Sequence, residues 1–247
     1  MPNIGCGIFS LSRFSYLVKL LNSLENAKGK DDIHFYLFQD GGRNPISGKL
    51  RAARMQIRTS TALFNESKLP NKEIVEQPNN VGIPINVYKG VQHVFKNHNI
   101  GIFLENDVIV SKDYFEVISE MLKKYGGVVK AGDSPGEGDG VSQKEKISGT
   151  NWACKRKSWK KAKPFLKEFI EEMRKSDYAD VDPAYLREKY GFPTQDCIRS
   201  NAFVKGGVKV WVTDHPKVRV IGRRGFHGAS HHLLSVTDKQ INVKIEI

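Results

Sequence analysis

The chain has 247 residues, 39% of them hydrophobic, enough for one packed domain and too many for a disordered chain. Lys and Arg outnumber Asp and Glu by 39 to 27, and the resulting net charge of +12 favours anionic partners such as nucleic acid, anionic membrane or phosphorylated small molecules. No apolar run approaches the roughly 18 residues of a membrane-spanning helix. The N-terminus lacks the basic start and apolar block of a signal peptide, and Cys6, Cys154 and Cys197 are too scattered for a disulfide framework. A cytoplasmic protein is therefore expected, its membrane association limited to peripheral contact with anionic lipid.

Asn3 to Ser10 is short, apolar and glycine-containing, as a buried strand is. Ser10 or Ser12 is placed to cap a helix whose apolar stripe is Phe14, Leu17, Leu21 and Leu24. Ile33 to Phe38 reads as a second strand, ended by Gln39-Asp40-Gly41-Gly42. A basic linker follows, then a helix around Ala52–Leu63 and a short strand at Glu73–Glu76. Asn79 to Gly82 is a turn, and Pro84 suits the first turn of the helix carrying Val87, Val91, Val94 and Phe95. Ile100 to Leu104 is a continuous apolar run, a central strand buried on both faces, ending in Glu105-Asn106-Asp107. Phe115, Ile118, Met121 and Leu122 mark another helix, closed by Gly126-Gly127.

This alternation predicts an α/β domain with a mostly parallel sheet between helices. Ligands in such sheets bind beyond the carboxyl ends of the strands, where three polar clusters fall: Ser10–Arg13, Gln39–Gly42 and Glu105–Asp107. The second half is less regular. Val128–Ala131 reads as a strand, Asp133–Gly140 as a loop, Ser158–Lys175 as one helix, and Lys205–Thr213 as a strand or a hairpin through Gly206-Gly207.

Glu105 and Asp107 stand two residues apart just past a buried strand and can face one small site. Mg²⁺ and Mn²⁺ need only one or two carboxylates when substrate phosphates complete the shell, so Mn²⁺ or Mg²⁺ is the expected cofactor. Asp40 can accept a bond from a nucleobase N–H or a ribose hydroxyl. Asp196, in Thr194-Gln195-Asp196, is a candidate general base for an acceptor hydroxyl. Arg219 to Gly228 carries cations and glycines suited to a loop over phosphates, with His227 a metal ligand or phosphate donor. His231-His232 show no zinc spacing.

Taken in order, these segments resemble the GT-A glycosyltransferases, in particular the inverting N-acetylglucosaminyltransferase I type. Phe38 to Gly41 resembles the family's nucleotide-binding turn. Val91 to Phe115 resembles its helix, strand and acid-rich metal motif. Gly149 to Trp159 is similar to its acceptor-side segment, Thr194 to Arg199 to the segment with its catalytic base, and Ile221 to Gly228 to its donor-closing loop. The resemblance implies a GT-A fold, Rossmann-like, as a single domain over 1–247, with a nucleotide-sugar-binding half at 1–130 and an acceptor half at 131–247. It implies a nucleoside-diphosphate sugar donor, UDP-linked, and a glycan or lipid-linked acceptor. Asp107 would be the metal ligand and Asp196 the base. Ser10, Arg13, Asp40, Asn80, Glu105, Asn106, Trp152, Arg224 and His227 would line the donor site. Where the family has three acids this chain has Glu-Asn-Asp, so the donor sugar stays open.

Two rivals follow from the same features. A nucleotidyltransferase making a nucleotide sugar shares the sheet and metal acids but needs a Gly-rich, Lys-containing loop after the first strand, where this chain has Phe9-Ser10-Leu11-Ser12-Arg13. A nucleic-acid-binding protein needs a concentrated cationic face, whereas the charge here is dispersed.

Overall fold

The computed structural model describes residues 3–132, 140–144, 149 and 151–222. The chain opens with β1 (Ile4–Ser10), buried from its second residue onward, and α1 (Phe14–Glu25), which turns Leu17, Leu20, Leu21 and Leu24 onto the sheet. Next come β2 (Ile33–Gln39), α2 (Arg54–Glu66), β3 (Lys72–Glu76) and α3 (Ile83–Asn97), with Pro84 in the first turn. Then β4 (Ile100–Glu105) leads through a two-residue turn into β5 (Val108–Val110), followed by α4 (Tyr114–Lys124) and β6 (Val128–Gly132). The second half adds β7 (Val141–Lys144), β8 (Asn151–Lys155), α5 (Arg156–Ala162), α6 (Lys167–Met173), α7 (Pro183–Tyr190), α8 (Gln195–Lys205), β9 (Val210–Pro216) and β10 (Val218–Val220).

Eight strands form one sheet in the order β3-β2-β1-β4-β8-β6-β9-β7, and β5 pairs with β10 apart from it. β1 runs parallel to both β2 and β4, β2 to β3, and β6 to β9; β8 is antiparallel to β4 and β6, and β7 to β9. The expected mostly parallel α/β sheet is thus present. Strand order reverses at β1, which opens a crevice beyond the carboxyl ends of β1 and β4.

Each face carries its own core. On one, Phe9, Phe38, Phe103, Trp152, Trp159 and Phe203 pack with residues of α3, α5, α6 and α8. On the other, Ile8, Leu37, Ile102 and Leu104 meet α1, α4 and Phe64 of α2. Among the described residues no helix is long and apolar enough to cross a membrane.

Three local expectations change. The helix expected over Ser158–Lys175 is broken by a 3₁₀ turn at Lys163–Leu166, where Pro164 supplies no N–H. The expected strand or hairpin near Lys205 begins later: α8 runs to Lys205, and Gly206-Gly207 turns into β9, whose partners are β6 and β7. Arg13, not Ser10 or Ser12, is the N-cap of α1, and no side chain caps it. The loop expected at Asp133–Gly140 lies outside the described residues apart from Gly140.

The bend after β2 depends on Gly41. A Cβ there would sit 2.2 Å from the carbonyl carbon of Asn79, a backbone atom that cannot swing aside. Gly41→Ala is expected to cost roughly 1–3 kcal/mol, as overpacking does. Thermal denaturation checks this, and an unchanged melting temperature would refute the close approach.

Candidate functional site

The site grows from the ends of β1 and β4. β4 lies beside β1 with Phe9 opposite Glu105, and Asn106 N–H donates to the Phe9 carbonyl at 3.1 Å, which turns the chain sharply past the sheet. That turn puts Glu105, Asn106 and Asp107 at the switch point. Arg13 reaches in from the start of α1: its Nη1 donates to Asp107 Oδ2 at 2.8 Å and its Nη2 to Asn106 Oδ1 at 3.3 Å. Asn106 Nδ2 in turn donates to Ser10 Oγ at 3.3 Å. Arg13, Ser10, Asn106 and Asp107 are therefore one hydrogen-bonded group, gathered from residues about ninety positions apart.

Asp196 arrives from the other half of the chain, in the first turn of α8, where Thr194 is the N-cap. Gln195 Nε2 and Arg199 Nη2 both donate to Asp196 Oδ1. Arg199 also donates to Gln195 Oε1 at 2.9 Å and to the Gly149 carbonyl at 3.3 Å, and its guanidinium lies 5.0 Å from the Trp152 ring centre. The buried Tyr178 hydroxyl accepts the Gln195 backbone N–H at 3.1 Å, which ties the start of α8 to the 178–180 turn.

The charges of these groups meet at Glu105. Burial and the nearby Asp196 and Asp107 carboxylates push its carboxyl up to about 8, with Arg199 and Arg13 pulling it partly back. Three acids against the two guanidinium groups of Arg13 and Arg199 leave one uncompensated negative charge when Glu105 ionises, a charge that a divalent cation would relieve. Asp107 Oδ1 is buried with no hydrogen-bond partner, an unspent hard oxygen donor. Among the described residues no group of three or more His, Cys, Asp and Glu side chains is placed to cage a metal. The donor set therefore fits an ion that takes one carboxylate here and the rest of its shell from substrate and water, as Mn²⁺ and Mg²⁺ do.

A folded-state value above the ordinary 4.5 means the folded protein holds a proton that the unfolded chain has lost. Stability contributed by Glu105 is thus present below about 4.5 and is lost as pH rises through about 8. Glu105→Gln removes the penalty. Its melting temperature is expected to exceed that of the unsubstituted chain at pH 8 by an amount worth on the order of 1–2 kcal/mol, and to converge with it near pH 5. A difference that does not vary with pH would contradict the proximity of the three acids.

Four sequence-expected donor contacts take internal roles instead. Asp40 is 3% exposed, and its four acceptor positions are filled by the backbone N–H groups of Gly41, Val81 and Gly82 and by Asn80 Nδ2, at 2.9–3.0 Å. Burial pushes its carboxyl to about 6 while those backbone donors pull down. Asn80, equally buried, also accepts from Asn44. Together they pin the 79–82 turn to the end of β2 and leave no vacancy for a base or ribose. Trp152 is 2% exposed, packed 4.3 Å from Phe103, with Arg199 against its ring, so it supports Arg199 and is not open to a donor. Ser10, 4% exposed, holds Asn106.

Arg224 and His227, with the rest of 223–247, lie outside the described residues. The chain leading to them passes the site. β10 pairs with β5, Ile221 N–H donates to the Asp107 carbonyl at 2.8 Å, and a Cβ on Gly222 would meet Asp107 Oδ2 at 2.2 Å. A side chain at this position would have to displace the Asp107 carboxylate.

Sequence reasoning missed Arg199, Gln195 and Tyr178 as parts of the site. The i,i+3 spacing of Asp196 and Arg199 was a readable signal; the Tyr178 contact spans seventeen residues and had none.

No protein-family model and no curated sequence matches the chain. Its fold is similar to several solved structures, a mannosyltransferase among them. A mannosyltransferase from Pyrobaculum calidifontis, in complex with GDP-Man and Mn²⁺, superposes with a TM-score of 0.57 at 11% identity, covering 92% of this chain and 59% of that one. TarS from S. aureus gives 0.54 at 12% identity over 89% of this chain and 36% of that one, and its 1–349 fragment with UDP gives 0.53 at 12% over 88% and 60%. The chain thus spans less than two thirds of each of these proteins. At such identities the likeness establishes the GT-A-like α/β fold.

Proposed function

We propose that this chain is a divalent-metal-dependent glycosyltransferase that moves a sugar from a nucleoside-diphosphate sugar to a hydroxyl acceptor. The observation that carries the reading is the convergence of Glu105, Asp107 and Asp196 at the strand-order switch, with Asp107 Oδ1 left without a partner. The similar folds bound to UDP and to GDP-Man with Mn²⁺ support it.

Asp107 would hold the ion, Mn²⁺ or Mg²⁺, which when bound supplies Lewis-acid neutralisation of a departing diphosphate. Arg13, already paired with Asp107, is a second cation for the same phosphates. Glu105 sits between the metal acid and the base. Asp196 is the general base. Arg199 and Gln195 fix its Oδ1, and the side chain keeps 21% exposure, through which an acceptor hydroxyl can approach Oδ2. Deprotonation there, with attack from the face opposite the diphosphate, gives inversion, as in the N-acetylglucosaminyltransferase I type. The acceptor class remains a glycan or lipid-linked hydroxyl.

A panel of UDP- and GDP-sugars read by thermal shift with Mn²⁺ tests this, because a ligand that binds only the native state raises its apparent stability by about 2.7 kcal/mol at a hundred times its Kd. One donor is expected to raise the melting temperature only when Mn²⁺ is present. If none does, and none is hydrolysed, the reading fails.

A further inference from the structure

A cavity of about 440 Å³ opens between the end of β2, the end of β3 and the first turns of α2, lined by Gln39, Arg43, Arg54, Arg58 and Glu76 with Leu50 on its wall. None of Arg13, Glu105, Asn106, Asp107 or Asp196 lines it, so it is separate from the site above. We propose that this cavity binds a phosphate ester of a hydroxylated ligand.

Three observations lead to that chemistry. Three guanidinium groups against one carboxylate leave two net positive charges around the opening. That matches the −1.5 to −2 charge of a phosphate monoester, and the guanidinium fork fits its oxygens. Arg54 and Arg58 stand four residues apart on α2, and neither pairs with a described residue. Arg43 spends one nitrogen on the Gly48 carbonyl. Three cations around a cavity with a single carboxylate among them leave charge for an external anion.

The second observation is Gln39. It is fully buried, and its Nε2 donates to the carbonyls of Leu11 and Asp40, which fixes the amide. Its Oε1 is then left with no donor. Leu37, two residues earlier on the same strand face, packs in the core that includes Phe64 of α2, so Gln39 shares the face on which α2 and the cavity lie. A buried acceptor calls for an O–H or N–H from the ligand, which a bare phosphate dianion lacks and a hydroxylated phosphate ester has. Glu76 is a second acceptor at the rim.

The third is size. The volume falls within the range of small-molecule sites, roughly 300–1,000 Å³, and exceeds what inorganic phosphate alone needs. The ester can reach the cavity in solution or on a lipid headgroup. Ile46, Leu50 and Met55, 51–71% exposed on the same stretch of chain, make the second source worth an arm of the test.

Isothermal titration of the full chain with glycerol 3-phosphate is the experiment. Saturable 1:1 binding is expected, at least tenfold weaker in the Arg54→Ala/Arg58→Ala double variant, whose melting temperature should be unchanged because both side chains are exposed. n-Propyl phosphate, which lacks the hydroxyls, should bind several-fold more weakly than glycerol 3-phosphate. In a second arm the chain is sedimented with phosphatidylcholine vesicles with and without phosphatidylinositol 4-phosphate, whose headgroup carries a phosphate monoester beside free hydroxyls. Arginine-dependent binding to the phosphatidylinositol 4-phosphate vesicles, competed by glycerol 3-phosphate, identifies the ester as a headgroup; glycerol 3-phosphate binding without vesicle binding identifies it as soluble. No saturable binding in either arm, binding indifferent to the two arginines, or displacement of glycerol 3-phosphate by UDP or GDP overturns the proposal. The donor panel is read separately with Mn²⁺, so failure of the transferase reading leaves this result standing, and the reverse.

Discussion

Asp196→Asn is expected to lower kcat for sugar transfer by about 10²–10⁴, the range set by loss of a positioned general base, with little change in donor binding or melting temperature. The geometry explains the separation. Asp196 Oδ1 is held by Arg199 and Gln195, and an amide oxygen can keep both bonds. The group lost is Oδ2 as a proton acceptor. The fold loses little because Asp196 is on the first turn of α8 and its side chain is 21% exposed. The substitution also withdraws one of the two carboxylates that raise Glu105, so Glu105 should ionise at lower pH in the variant. Steady-state kinetics with the donor found in the panel gives the measurement. Transfer within threefold of the unsubstituted rate would remove Asp196 from the chemistry.

Asp107→Ala is expected to abolish Mn²⁺-dependent donor binding, with affinity falling at least about a hundredfold, the loss of roughly 2.7 kcal/mol. Among the described residues, the substitution takes away the only carboxylate at the switch point with a buried, unspent oxygen. The apo protein should tolerate it. Arg13 is about one-third exposed and can be solvated when its partner goes, and Glu105 loses a repelling neighbour. The two substitutions thus separate two roles: Asp107→Ala removes binding, whereas Asp196→Asn leaves binding and removes turnover. An unchanged Mn²⁺-dependent thermal shift in Asp107→Ala would place the metal elsewhere.

Much of the first half was legible because parallel strands bury both faces and helices bury one. The continuous run Ile100–Leu104 and the spaced Leu17, Leu21 and Leu24 are each a local pattern with one ready reading. The antiparallel β8 was not legible. Asn151–Lys155 carries a mixed pattern whose strand conformation comes from Leu104, Phe103 and Ile102 on β4 opposite, a pairing about fifty residues away. The long helix expected through Pro164 failed for a local reason, since apolar spacing on both sides hid the missing N–H.

The candidate site divides the same way. Glu105-Asn106-Asp107 at the end of a buried strand and Asp196 after Thr194-Gln195 could be singled out as candidates from residue type and position, whereas Arg199 was missed. Sequence by itself determined which carboxylates stand at element ends, because a short polar cluster after an apolar run has few other places to go. Only the tertiary structure decided which polar groups are free. Asp40 and Asp107 are both acids just beyond strand ends, yet Asp40 has four internal donors and Asp107 keeps one oxygen without a partner. That difference depends on where the 79–82 turn and Arg13 come to rest in space. Hydrogen-bond satisfaction is a property of the neighbours, and those neighbours are forty and ninety-four residues away.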